Sequence, residues 1–475
     1  MTLVVEARFD ITLEGLRRVA WQGEPVEIGS NAIAVMDRCH DSFGALVESL
    51  RAADPEALVY GVTTGPGDRG MKPLTGDRPR RLWTAASFGE ALPERVVRGI
   101  VLARLANLVG GHAAARSRVA LAVAGMLDGT RPLPAVPGEA NGGAGEILAL
   151  GHLFYGLAEE LELEPREQMA LINGSPGAAA LVADVALAAQ GRLRLAEEVF
   201  ALSAHALSAP VEAYSEQLEE LWGDEEDAAA LRSLRSLLRG SQGQSHQAPV
   251  SSRILPRVLG QGRRALAEAE AAAAVSLSSV TDNPVYIPPD DAHPLGSVFS
   301  TGGYHNARAT AAIDQVAFAW ADLCQLVQRH TDKLFQHPAT AAALSDEWTV
   351  KPLHMVQAGW AEQARALAQP STLALGAFGQ NDAPAMSFVA WRKAAAVGRC
   401  LDAALAGLAA LVSEALRVNE REPPPALAGP LAQIRKTVPR IDASRPAGAS
   451  YEALARSFAN QVFEGRVAGA PDWPA

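Results

Sequence analysis

Between residues 176 and 417 the chain runs through long stretches of Ala, Leu, Glu and Arg with few β-branched clusters, and this constrains the fold more than any other feature. Predicted helices cover 176–206, 210–221, 225–238, 256–279, 304–334, 354–368 and 385–417. Several are far longer than the usual globular helix of about 11–12 residues. Rods of that length hold only by burying apolar faces against one another, which points to an antiparallel bundle. Polar breaks at 240–249, 282–303 and 338–352 separate them. The N-terminal third is less regular. Short helices are expected at 13–20, 31–53, 94–108, 113–127, 146–158 and 166–171, with a Gly/Pro-rich loop over 60–78 that is too long for a mere connector. The expected fold is all-α in three parts: an irregular domain over 1–175, a long-helix bundle over 176–417, and a partly covering segment over 418–475 that begins near Pro423-Pro424-Pro425.

The net charge of −11 argues against a nucleic-acid partner, and no Lys/Arg-rich run offsets it. Three cysteines, Cys39, Cys324 and Cys400, lie far apart without metal-ligand spacing, as suits a reducing compartment. The ten histidines show no paired spacing, so no metal site is expected, and no phosphate-binding Gly-rich motif is present. The first residues lack a basic region followed by an apolar run. Apolar stretches such as 119–125 fall short of a bilayer span. A cytoplasmic protein without a membrane partner is expected.

Four stretches draw chemical interest. Gly138-Glu139-Ala140-Asn141-Gly142-Gly143-Ala144-Gly145 carries four glycines in eight residues just before an apolar helical run. It reads equally as a plain turn or as a place where backbone must approach something closely. Tyr60 opens Tyr60-Gly61-Val62-Thr63-Thr64-Gly65, and either packs its ring with a satisfied hydroxyl or serves as a proton-transfer group. Asn173, before Gly174, fits a helix C-cap and also a pocket position. Arg253, in Gln247-Ala248-Pro249-Val250-Ser251-Ser252-Arg253, is either a surface arginine or a two-pronged clamp for a carboxylate.

The order and spacing of these stretches resemble the aromatic amino acid ammonia-lyases, histidine ammonia-lyase most closely, over roughly residues 1–415. The resemblance implies a histidine/phenylalanine ammonia-lyase-like, fumarase-like helix bundle and a homotetramer with each site assembled from several subunits. It implies that Tyr60 is the general base, that Asn173 contacts substrate and cofactor, and that Arg253 binds the substrate carboxylate. Gln247 and Gln380 are implied as polar lining. Tyr304 stands where the family carries a pocket phenylalanine. Thr84 replaces a substrate-contacting histidine, Val250 a tyrosine, and Asn381 a glutamate.

The family's Gly-rich turn holds an Ala-Ser-Gly triplet that cyclises and dehydrates into the electrophile 4-methylidene-imidazol-5-one. Here the triplet is Gly143-Ala144-Gly145. The methylene of that group is a serine β-carbon after loss of its hydroxyl, and Ala144 has no oxygen to lose. No cofactor is therefore expected. Three functions remain open: a lyase acting without the electrophile on a small carboxylate-bearing, amino-acid-like substrate by elimination, addition or cyclisation; a silent homologue that binds or regulates; or a Ser-to-Ala variant of an ordinary ammonia-lyase.

Overall fold

The structure, a computed structural model, describes residues 2–74, 84–244, 247–341, 344, 350–373, 379–440 and 447–463. It opens with a short parallel strand pair, β1 (Leu3–Val5) and β2 (Val26–Ile28), around α1 (Leu13–Leu16) and a π-turn at Arg17–Trp21. Helices α2 (Ser30–Ala53), α3 (Glu94–Val109), α4 (Ser117–Ala124), α5 (Ile147–Glu160) and α6 (Pro165–Ile172) follow. The first long rod is α7 (Pro176–Ala206). After α8 (Gln217–Trp222), α9 (Glu225–Leu237) and the one-turn α10 (Val250–Arg253) come α11 (Leu255–Ser278), the antiparallel hairpin β3 (Val285–Ile287) and β4 (Ser297–Phe299), and α12 (Ala307–Gln336). The short α13 (Pro338–Ala341) leads to α14 (Leu353–Leu367), α15 (Ser387–Val418), α16 (Pro425–Thr437) and α17 (Gly448–Val462). The all-α expectation holds.

The bundle is built by α7, α11, α12, α14 and α15, which pack along their lengths. Helix α7 begins where its sequence dictates: Pro176 occupies the first turn, where its missing N–H costs nothing. Helix α4 is shorter than the expected 113–127, because Gly111 and Ala114 both take positive φ and form a turn first. The expected helix at 210–221 is broken. Val211–Tyr214 makes a 3₁₀ turn, then Ser215 is extended (ψ 147°) before α8 starts. The polar break at 282–303 contains the β3–β4 hairpin, too short for period-two patterning to reveal. Helices α16 and α17 insert Leu427, Leu431, Ile434, Leu454 and Phe458 into the same continuous core that starts at Leu3.

A buried carboxylate joins three distant parts of the chain. Asp184 on α7 accepts from Arg95 Nε at 2.7 Å, from Trp21 Nε1 at 3.2 Å and from Trp391 Nε1 at 3.0 Å. The Arg95 guanidinium in turn lies 4.3 Å above the ring of Phe463. A buried charge is tolerable only when paired and hydrogen-bonded in this way. The residues Pro165–Ala206 and α15 are long and apolar enough to cross a membrane by length and composition, longer than the stretches singled out from sequence. Their apolar windows are 100% and 83% buried inside the bundle, which accounts for their composition as core.

Candidate functional site

Five separated pieces of chain meet at one end of the bundle around a cavity of about 440 Å³. They are the connection between α2 and α3, the Gly-rich turn, the end of α6, the chain around the β3–β4 hairpin, and the segment before α15. Of the residues named from sequence, Tyr60, Thr84, Ala144, Gly145, Asn173, Tyr304, Gln380 and Asn381 line it. The remaining lining among the described residues is apolar or neutral and polar, and none of it carries a formal charge.

The Gly-rich turn is shaped by two consecutive left-handed residues, Gly145 (φ 71°) and Glu146 (φ 56°). The second is costly for a residue with a side chain, and its carboxylate shows what holds it there. Glu146 is 4% exposed and accepts from Gly177 N at 2.6 Å and Ala178 N at 2.7 Å, the free amides at the start of α7. A Cβ on Gly177 would lie 2.5 Å from that carboxylate, so only glycine permits the approach. Burial pushes the Glu146 pKa up to about 7 against the opposing pull of the two amides and of Arg104. Arg104 is itself fully buried, donates to the Asn173 carbonyl, and has its pKa lowered to about 10 by burial. Gly143 accepts from Ala385 N at 2.9 Å, which pins the segment before α15 to the turn.

Tyr60 turns its hydroxyl toward the cavity, where it accepts from Gly67 N at 2.9 Å. Its ring packs on Gly70, where a Cβ would come within 3.0 Å of it. Burial raises its pKa, the Gly67 amide lowers it by less, and the neighbouring Tyr304 raises it further. A phenolate at this position needs positive charge or donors to favour it. Among the described residues Gly67 N is the one donor to it, and with its pKa raised Tyr60 rests as a neutral phenol at neutral pH.

Asn173 fulfils both readings made for it. It caps α6, its side chain bridges Gly174 N (2.7 Å) and the Asn283 carbonyl (3.0 Å), and it faces the cavity. Thr84 donates to the Ile147 carbonyl at the start of α5. Gln380 N donates to Asp68 at 2.9 Å, tying the two loops that flank the opening.

Arg253, Gln247 and Val250 are not brought to this cavity within one chain. All three are exposed, and Arg253 Nε is satisfied by the Ala248 carbonyl at 2.9 Å. The Ser251 carbonyl beside them meets His330 on α12, while the cavity lies before Ala307 at the start of that helix. The intervening 23 residues of helix put the two ends about 35 Å apart. Within one chain a rigid rod therefore separates this segment from the cavity, and the resemblance implies a site assembled from several subunits.

Asn283, Met169, Ser300 and Thr301 also line the cavity and were not foreseen. Asn283 falls in the polar break at 282–303, and Met169 lies inside the helix expected at 166–171. Nothing in the local sequence marks Ser300 or Thr301. A larger, mostly apolar cleft of about 720 Å³ runs between α12 and residues 365–373. It shares none of the residues named from sequence, so volume alone does not make it the chemical site. Among the described residues no group of three or more His, Cys, Asp or Glu could hold a metal ion.

The residues at the triplet do not fit a methylidene-imidazolone. Ala144 presents a methyl group where the dehydration step requires a hydroxyl.

The family description "Aromatic amino acid lyase" matches residues 11–160 and 156–438. A histidine ammonia-lyase of Sorangium cellulosum (strain So ce56) is 28% identical over 92% of this chain and 93% of its own length. Among solved structures, the ergothioneine-degrading enzyme ergothionase from Treponema denticola superposes with a TM-score of 0.84 at 18% identity, covering 98% of this chain and 100% of its own. A tyrosine aminomutase from Streptomyces globisporus superposes with a TM-score of 0.81 at 21% identity, covering 98% of both chains. At those identities the superpositions speak for the fold.

Proposed function

Because the chain belongs to the aromatic amino acid lyase family, we propose that it is a lyase acting without the methylidene-imidazolone, on a small carboxylate-bearing substrate, by base-assisted elimination or the reverse addition or cyclisation. The observation that carries this reading is Ala144, set in a cavity that otherwise keeps Tyr60 and Asn173 in place. Free amine is a poor leaving group and an ordinary β-hydrogen is barely acidic. A site lacking the electrophile therefore needs a substrate with a better leaving group, or with a proton acidified by an adjacent carbonyl. Tyr60, once ionised, takes that proton; the C–H pair becomes the new double bond, and the leaving group departs with its own electrons.

The described lining residues supply no cationic partner for a carboxylate. A homotetramer would, with Arg253, Gln247 and Val250 reaching the cavity of a neighbouring subunit from the far end of the rod. The two-pronged guanidinium then holds the carboxylate and sets the reacting carbon against Tyr60. The raised pKa of Tyr60 favours a second reading, a homologue that binds the carboxylate and does not turn it over.

Thermal-shift screening of small carboxylates, followed by Tyr60→Phe and Arg253→Lys, separates the two. Tyr60→Phe should keep affinity and lower turnover by about 10²–10⁴-fold. Arg253→Lys should chiefly weaken binding. Loss of affinity in Arg253→Lys with no reaction to lose in Tyr60→Phe would establish binding alone, and unchanged turnover in Tyr60→Phe would remove it as the base.

A further inference from the structure

We propose that Tyr304 is a second catalytic residue, the phenol that hands a proton to the departing group while Tyr60 removes one from carbon. The inference rests on the reading of Tyr60 as base and adds to it the acid that such an elimination lacks.

Tyr304 lies in the tight turn just ahead of α12. The turn is fixed by His305 N donating to the Gly302 carbonyl at 3.0 Å and Gly303 N donating to Thr301 Oγ1 at 3.1 Å. Its side chain crosses directly over the triplet: a Cβ on Gly145 would stand 3.6 Å from Tyr304 Cβ and 3.7 Å from its Cγ. The Tyr304 ring therefore occupies the side of the cavity formed by the degenerate turn. Its hydroxyl makes no hydrogen bond with a described residue, whereas the Tyr60 hydroxyl is held by Gly67. The two phenols are close enough to feel each other's charge.

The composition of the lining strengthens the case by elimination. Alcohols, amides and apolar groups make up the rest of the wall, and none exchanges a proton in the ordinary pH range. Among the described lining residues, any proton delivered or accepted must pass through Tyr60 or Tyr304. The sequence also shows a reciprocal exchange. The position over the triplet carries a phenol where the resemblance implies phenylalanine, and the triplet itself has lost its hydroxyl.

The step balances with a single proton shared between the two oxygens. The reactive form is reached when the pair loses one proton, leaving Tyr60 a phenolate and Tyr304 a phenol. Tyr60 takes the proton from carbon, the C–H electron pair becomes the double bond, and the bond to the leaving group breaks with its electrons going to that group. Tyr304 protonates it and becomes the phenolate. Transfer of a proton from Tyr60 to Tyr304 restores the starting state. One proton thus serves both oxygens over the cycle.

The test uses 4-aryloxy-2-oxobutanoates, whose C3 proton is acidified by the ketone and whose leaving group can be varied from phenoxide to 4-nitrophenoxide. A poor leaving group needs the proton and a good one does not. Tyr304→Phe should lose about 10²–10⁴-fold with phenoxide and less than tenfold with 4-nitrophenoxide, whereas Tyr60→Phe should lose equally with both. Equal losses, or none, in a Tyr304→Phe protein that keeps its thermal midpoint overturn the acid and leave the base standing. No elimination by the wild-type protein, or an unaffected Tyr60→Phe, overturns the reading beneath it. Difluorotyrosine at position 304 gives a check that preserves packing: the alkaline limb of the phenoxide reaction should move to lower pH, and an unmoved limb refutes the assignment.

Discussion

The carboxylate of Glu146 makes a prediction about pH that is opposite to the usual one for a folded protein. Its pKa is raised by burial from 4.5 to about 7, although two amides and Arg104 favour the charged form. Below pH 4.5 the carboxyl is protonated in both folded and unfolded chains, and it contributes no difference. Between pH 4.5 and 7 the unfolded chain ionises while the folded one keeps its proton, so this group's contribution to stability falls as pH rises. Above pH 7 the loss is complete, and a rise of that size corresponds to about 3 kcal/mol. Glu146→Gln removes the titration. It also sets an amide NH₂ against one of the two N–H donors, which costs about 1–3 kcal/mol at every pH. Urea denaturation at pH 4.5 and pH 8, at one protein concentration, compares the two proteins. The glutamine variant should be the weaker at pH 4.5, and the gap should shrink or invert by about 3 kcal/mol at pH 8. A gap that is the same at both pH values would refute the argument, and would mean that the amides at the start of α7 outweigh burial.

Two further perturbations follow from the same structure. Asp184→Asn removes the charge that Arg95 pairs with and turns an NH₂ toward donors, so it should cost about 3–5 kcal/mol in urea denaturation; a loss under about 1 kcal/mol would show that the indoles and Arg95 re-pair locally. Ala144→Ser should not yield efficient histidine deamination, because Thr84, Val250 and Asn381 replace the groups that the resemblance implies for recognising the imidazole and supporting catalysis. Intact mass of the unmodified protein should equal the translated sequence, and either a deficit of two waters or robust urocanate formation by the serine variant would overturn this.

The rods were legible because their determinants are local. Pro176 starts α7 and the run of apolar and alanine residues carries it to Ala206, the bounds read from sequence. The failure at 210–221 was equally physical: Ser215 sits in a span of good helix formers, and propensity alone gives no reason for it to be extended. In the site, Tyr60, Thr84, Asn173, Tyr304, Gln380 and Asn381, which motif order singles out, line one cavity. What order could not convey was distance. Arg253 follows Asn173 by 80 positions and looks like its neighbour in a list of motifs, yet the length of α12 lies between them. The role of Glu146 is not legible locally, because its approach to the start of α7 depends on Gly177, 31 residues later, lacking a Cβ.

The junction at Asp184 also sets a timetable for synthesis. Trp21 and Trp391 donate to the same carboxylate, and 370 residues separate them. At translation rates of about 5–20 residues per second, the ribosome needs roughly 20–70 s to supply the second indole after the first. During that interval the early segment has emerged with its apolar face, including Trp21, but without α15 to cover it. For most of its synthesis a chain of this design therefore carries apolar surface that its final partner has yet to cover. Truncation anywhere before residue 391 should yield aggregation rather than a smaller folded unit.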